Sequence, residues 1–408
     1  MGHPPRQGNR RMATTDTGRT LVFSFDGTGN EPSDAGKFER DESISNVLKL
    51  HVLMGGGLRR DLTETRTPLG APQRTWYYNG IGTRENGEDI PLVGWMITSM
   101  AELVNSALAP KWGDARRILN EAKADLTEAE PKPEDRIVVF GFSRGAALAR
   151  KFASLILQER QELEVAFLGV FDTVAAMSGI HRKGEKIVSD VVFENGTVDR
   201  RVKRAVHILS LDEERVAFEP TQINRDAGDP DRITEIWFPG AHSDVGGGYW
   251  SDGLSDIALQ YMIEQCQACL GGHILIADSR SPGEVRNLLN GQGDALGFLD
   301  MDDILMHPNV TCVSRTRPEG LGKLYDRAVR NVCVRENNEA LPADTHPPLL
   351  HHSVKARFDL VPHYRPASLR GLNFDLLLPG SGAKKRLTGI TGLRSDLDQR
   401  PRNEKMNG

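Results

Sequence analysis

The segment RIVVFGFSRGAALARKFASLIL, residues 136–157, carries the side chains best suited to chemistry. Within it Gly141-Phe142-Ser143-Arg144-Gly145 matches G-x-S-x-G, with an apolar strand-like run entering it and a helix-like run leaving it. That is the setting of a nucleophile elbow, where glycines relieve a crowded turn and the serine hydroxyl stands above a sheet. Ser143 is the expected nucleophile of an acyl transfer. A serine needs a base and the base an orienting carboxylate, in the chain order serine, acid, histidine. Asp172 ends a second apolar run, VAFLGVFD, and His242 follows the Pro239-Gly240 break after ITEIWF. Each comes just after a strand-like run, at the carboxyl edge where open α/β sheets hold ligands. His207 lies inside an apolar run and reads as a core residue. His351 and, above all, His352 compete with His242 for the role of base, and Asp244 competes with Asp172 for that of acid.

An oxyanion needs two donors, the N–H after the nucleophile, here Arg144, and one from a loop after an earlier strand. The loop Asp26-Gly27-Thr28-Gly29-Asn30, which ends the run LVFSF, suits the second role: Gly27 and Thr28 can approach a tetrahedral intermediate, with Asp26 shaping the turn. Two rivals for this loop fail on residue type. A haloacid-dehalogenase-type nucleophile would stand where Ser24 is, and a phosphate-binding loop would carry a lysine that DGTGN lacks. A divalent cation held by Asp26 and Asp244 is an alternative, in which His242 would serve a metal-dependent phosphoesterase. Asp244 can instead pin the glycine loop that follows it. The serine mechanism itself requires no cofactor and assigns no residue to a metal.

The elements that must position these groups are legible as alternation. Strand-like runs occur at 20–26, 74–79, 136–140, 165–171, 204–209 and 232–238, and several are continuously apolar, as strands covered on both faces would be. Helix-like segments fall at about 43–54, 91–126, 144–158, 211–218 and 253–269. The expected fold class is α/β, an α/β-hydrolase-like doubly wound, mostly parallel sheet with helical insertions. Residues 1–19 read as a flexible N-terminal segment, 20–380 as one domain whose part 270–380 packs on the sheet, and 381–408 as a flexible basic tail. The amphipathic stretch near 91–109, with Trp95, Met96 and Met100, suits core packing or a lid meeting acyl chains.

Net charge of -5 gives no overall attraction to nucleic acid, and no nucleic-acid partner is expected. Four cysteines in 408 residues make no disulfide framework. Cys266 and Cys269 form a lone C-x-x-C inside a helix-like run, where buried small side chains explain them better than metal or redox duty. The N-terminus has arginines but no apolar segment behind them, so neither a signal peptide nor a membrane span is expected; the expected location is cytoplasmic, with non-classical secretion left open. Oligomeric state is not legible.

Six segments in order, FSFDGTGN, GFSRGAALAR, GVFDTV, LDEERVAFEP, WFPGAHSDVGGGY and HHSVKARF with the later YRP, resemble the catalytic domain of the type VI secretion lipase effector-like family of α/β-hydrolases. The resemblance implies a Ser-Asp-His hydrolase of phospholipid acyl esters, with Ser143, Asp172 and His242 at the matching motif positions, while contact with a membrane surface would fall to the 91–109 stretch. The expectation is therefore a serine esterase of lipase or phospholipase type. An esterase or thioesterase on small soluble substrates, the metal-dependent phosphoesterase and a non-catalytic binding module are the alternatives.

Overall fold

The computed structural model describes residues 18–28, 30, 43–58, 64–81, 112–175, 197–251, 253–292, 299–314 and 327–394. The stretch 91–109 considered for a lid lies outside them. Strand β1 (Thr20–Phe25) is wholly buried. Helix α1 (Asn46–Leu53) starts at Ser45, whose side chain accepts from Leu48 N–H. After it come β2 (Glu64–Arg66), β3 (Pro72–Tyr78), α2 (Trp112–Glu128), β4 (Arg136–Phe142), α3 (Ser143–Glu159) and β5 (Val165–Phe171). The second half adds β6 (Ala205–Ser210), β7 (Ile233–Phe238), the short α4 (His242–Gly246) and α5 (Gly253–Leu270). Beyond them lie the small hairpin β8 (Arg335–Glu336) and β9 (Glu339–Ala340), then β10 (Leu349–Leu350), α6 (His352–Leu360), β11 (Asn373–Leu377), β12 (Lys384–Thr388) and α7 (Gly389–Arg394).

The main sheet has ten strands in the order β12-β11-β10-β7-β6-β5-β4-β1-β3-β2. Pairings from β3 through β11 are parallel, and only the outermost, β2 with β3 and β11 with β12, are antiparallel. This is the α/β-hydrolase-like, mostly parallel sheet that the sequence led us to expect. Side-chain alternation divides the core. Val138 and Phe140 of β4 join α1 and α5 on one face, while Ile137 and Val139 join α2 and α3 on the other. Full burial of such side chains contributes about 1.5–3 kcal/mol apiece.

The chain runs outward from β1 to β3, then returns to β4 on the other side of β1. Between β1 and β4 the winding reverses, opening a crevice at the carboxyl ends of the two strands. The loop after β1 and the turn after β4 both end there.

Three expectations need correction. Residues 211–218 form no α-helix; only Val216–Phe218 makes a single 3-10 turn, because the charged side chains of this segment are spent on partners described below. The flexible tail does not begin at 381, since β12 pairs with β11 and Leu387 and Leu393 are buried in a third apolar cluster with Phe358 and Phe374. Likewise, part 270–380 does more than pack on the sheet, for it supplies β10 and β11. Among the described residues no helix is long and apolar enough to cross a membrane.

Candidate active site

Ser143 opens α3 directly from β4 with φ +56°, in the left-handed region that side chains other than glycine rarely adopt. The turn is held there by close packing. A Cβ on Gly145 would lie 2.2 Å from the carbonyl oxygen of Asp26, and one on Gly141 would lie 2.6 Å from Ala146 Cα. Both glycines are therefore sterically required, and the α3 N-terminus presses against the end of β1. Unpaired N–H groups of that first helical turn, Arg144 among them, face a developing anion favourably.

Asp172 follows β5, also at positive φ, +36°. Its carboxylate is fully buried and accepts from five donors. Oδ1 takes Ser210 N–H at 3.0 Å and Arg330 at 2.8 Å. Oδ2 takes Ser210 Oγ at 3.1 Å, the second Arg330 nitrogen at 3.0 Å and His242 Nδ1 at 2.7 Å. Burial opposes ionisation, but the Arg330 charge and His242 outweigh it and hold this carboxyl well below the usual range. His207, in β6, behaves as the core residue expected of it. Its Nδ1 meets Glu235 at 2.7 Å and its Nε2 accepts Thr173 N–H at 3.1 Å, which pins the turn next to Asp172.

His242 begins α4 after β7 and is 2% exposed. With Nδ1 bonded to Asp172, the ring is oriented so that Nε2 remains for chemistry. Burial lowers its pKa against the opposing pull of Asp172, so the imidazole is neutral at pH 7, as a base must be. Phe142 packs against the ring at 4.7 Å and Phe218 meets it edge-on at 4.9 Å. Ser143 and the Asp172 turn are tied directly, since Val174 N–H donates to the Ser143 carbonyl at 3.1 Å. Ser143, Asp172 and His242 thus follow three strands of the sheet at the same carboxyl edge.

The first loop departs from its expected role in one respect. Gly27 N–H donates to the carboxylate of Asp26 at 2.6 Å, so it is not available to an oxyanion. Thr28 remains, and its hydroxyl is buried with no partner among the described residues. Gly27 is needed for space instead, because its Cβ would lie 2.7 Å from the Phe142 ring. Asp26 accepts further from Ser45 Oγ and Tyr77 Oη, both at 2.6 Å, and from Asn30 Nδ2 at 3.2 Å. Its acceptor capacity is committed to holding the loop, and burial raises its pKa in spite of these bonds.

Asp244 Oδ2 accepts from Ala241 N–H at 2.7 Å and from Ser314 Oγ at 2.6 Å, so it holds the start of α4 and not the glycine loop after it. Among the described residues no three acidic, histidine or cysteine side chains cluster as a metal site. The glycines after Asp244 are packing requirements: a Cβ on Gly246 would lie 2.0 Å from the Phe142 ring, and Gly247, at φ +83°, abuts α1. His352 stands at the end of β10, three strands from β5, or about 14 Å at a strand spacing of ~4.8 Å. Its ring lies tilted against that of His351 at 4.0 Å, and Glu264 is the charge that acts on it, not Asp172. His351 caps α6 and stacks on Phe238 at 4.2 Å. Cys266 is buried in α5 and Cys269 exposed; neither reaches the strand ends just described.

Sequence reasoning missed the scaffold behind these groups. Glu213 accepts His242 N–H at 3.3 Å and is bridged by Arg215 at 2.7 Å, while the Arg215 guanidinium lies 3.8 Å above the Phe218 ring. Arg330 adds a bond to Phe218 O at 2.7 Å. The segment LDEERVAFEP was noticed as a motif, and its run of charges amid apolar residues was the available signal.

The family model of the type VI secretion system phospholipase effector Tle1-like catalytic domain matches residues 19–159 and 157–265, more than half of the chain. The chain belongs to this family. Solved structures similar to this Tle1-like domain include an uncharacterized protein from Pseudomonas aeruginosa, 21% identical, covering 65% of this chain and 47% of that one, with TM-score 0.38. Another is the Tle1 effector bound to the VgrG spike, 24% identical, covering 57% and 51%, with TM-score 0.31. A hormone-sensitive lipase from a metagenome library is 14% identical, covering 62% and 77%, with TM-score 0.32. This chain spans about half the length of the first two. No curated protein matches it significantly.

Proposed function

We infer that this Tle1-like domain is a serine hydrolase of carboxylic esters, with acyl esters of lipids, phospholipids foremost, as its substrate class. The observation that carries the reading is the 2.7 Å bond from His242 Nδ1 to the buried Asp172, joined to a serine at φ +56° on the neighbouring strand end. In this mechanism Ser143 Oγ attacks the ester carbonyl carbon while His242 Nε2 takes its proton. The oxyanion is met by N–H groups of Arg144 and Thr28. Collapse breaks the bond to the alcohol, which leaves with the proton from His242, and water attacks the acyl-enzyme by the same route. Asp172 keeps its charge throughout, as its low pKa supports.

The metal-dependent alternative loses support because Asp26 spends both oxygens, and Asp244 its Oδ2, on protein donors. The family description favours lipid over small soluble esters. Delivery on a secretion spike is likewise a proposal for this chain, drawn from family membership.

The test is fluorophosphonate labelling of wild type and Ser143→Ala, read by intact mass, followed by hydrolysis assays on phospholipid and short-chain esters. One adduct is expected on wild type and none on the variant, and Ser143→Ala or His242→Ala should lower kcat by about 10⁴ to 10⁶. Labelling at equal level in both proteins would remove Ser143 from the mechanism.

A further inference from the structure

Five arginines among the described residues are buried: Arg144, Arg150, Arg232, Arg330 and Arg357. Four have evident partners. Arg150 donates to Thr221 O at 2.6 Å, Arg232 to Asp226 at 2.9 Å, Arg330 to Asp172, and Arg357 to Cys312 O at 3.0 Å. Arg144 is 4% exposed, yet its guanidinium meets no acceptor, carboxylate or aromatic ring among the described residues. It stands next to Ser143, in the first turn of a 17-residue helix, at the crevice where the sheet reverses direction. A shielded guanidinium without a counter-charge is costly, and none of the Arg144 nitrogens is among the wholly buried, unpartnered atoms, so an anion arriving from outside can meet it.

We propose that the Arg144 guanidinium binds an anionic group of the substrate, a phosphodiester, set a short linker away from the scissile ester. This deepens the ester-hydrolase reading and rests on it. The reach of the side chain sets an upper bound on the spacing. With the ester oxygen held at Arg144 N–H, a guanidinium on a fully extended arginine lies about 6–7 Å away at bond lengths near 1.5 Å. A glycerophospholipid places phosphorus five or six bonds from its acyl carbonyl carbon, which is about the same distance. Thioesters carried on long phosphopantetheine arms put their phosphate many bonds farther off, beyond this arginine. Planar guanidinium and a two-oxygen phosphate face pair in bidentate fashion, which a lysine ammonium reproduces only as a point charge. Burial lowers the Arg144 pKa to about 10, in keeping with a charge held without a counter-ion until substrate arrives.

The experiment compares phosphatidylglycerol with diacylglycerol of identical acyl chains, each in neutral-detergent mixed micelles, for wild type, Arg144→Gln and Arg144→Lys. Thermal melts and fluorophosphonate labelling report folding and the reactive serine separately. Wild type is expected to favour the phosphodiester lipid in kcat/KM, Arg144→Gln to reduce that ratio by about tenfold or more, and Arg144→Lys to retain part of it. A ratio unchanged in a labelled Arg144→Gln protein overturns the assignment, as does a labelled wild type that cleaves both lipids alike; either leaves the serine mechanism standing. A wild type that neither labels nor cleaves any ester overturns both.

Discussion

At the level of single residues, Asp172 is the group on which the proposed chemistry turns. Its two oxygens serve His242 and Arg330 together, so the negative charge felt by the imidazole is partly offset by a guanidinium. His242 is thereby less basic than beside an unaccompanied aspartate, in addition to the lowering by burial. Activity that requires neutral His242 should rise with pH through a midpoint below the ordinary histidine value of 6.5. Replacing Arg330 with glutamine removes the offset, so the acid limb of kcat/KM should move to higher pH. The same change leaves a buried carboxylate short of its partner and should destabilise the fold by about 3–5 kcal/mol. A pH-rate profile alongside urea unfolding separates the two effects; an acid limb that stays in place would show that Arg330 only supports the fold.

Among elements, the long central strands were readable because both of their faces are covered, which leaves uninterrupted apolar runs such as VAFLGVF. Serine, aspartate and histidine were readable for the same reason, each standing where such a run stops. Strands β11 and β12, NFDLL and KKRLT, have one wet face and read as loop or tail. Arg330 was illegible because its partner lies 158 residues away in sequence, and no local periodicity records such a pairing. Gly27 was misjudged as a donor since only coordinates reveal that the neighbouring Asp26 side chain claims its N–H. The edge elements carry weight in the fold. Ending the chain at 380 removes Leu387 and Leu393 from the third cluster, at about 1.5–3 kcal/mol each, and uncovers Phe374. Differential scanning calorimetry of chains ending at 380 and 394 should find a clearly lower Tm for the shorter; equal values would mean β12 and α7 are dispensable.

For the molecule as a whole, burial keeps several histidines neutral. His51, fully buried and bonded through Nε2 to Gly57 O at 2.9 Å, has its pKa lowered to about 4, and those of His242 and His351 are lowered as well. Unfolded, each would titrate near 6.5. Between pH 6.5 and 4 the unfolded chain therefore binds more protons than the native one, and stability falls as pH falls. For His51 alone the loss across that window is about 3 kcal/mol. Depressed carboxylates such as Asp172 add a further loss only below about pH 4. Urea midpoints should drop between pH 7 and 5; a constant midpoint would mean these imidazoles are charged in the native state.

The clamp on Asp172 also bears on how the protein is made. Serine, aspartate and histidine all lie within the first 242 residues, whereas the guanidinium that neutralises the aspartate arrives at position 330. A nascent chain that has exposed only the earlier residues from the ribosome holds a carboxylate it cannot bury without its counter-charge. Synthesis order therefore delays assembly of the proposed site until Arg330 has emerged, well after His242, so the proposed hydrolase would stay incomplete while that stretch is being made.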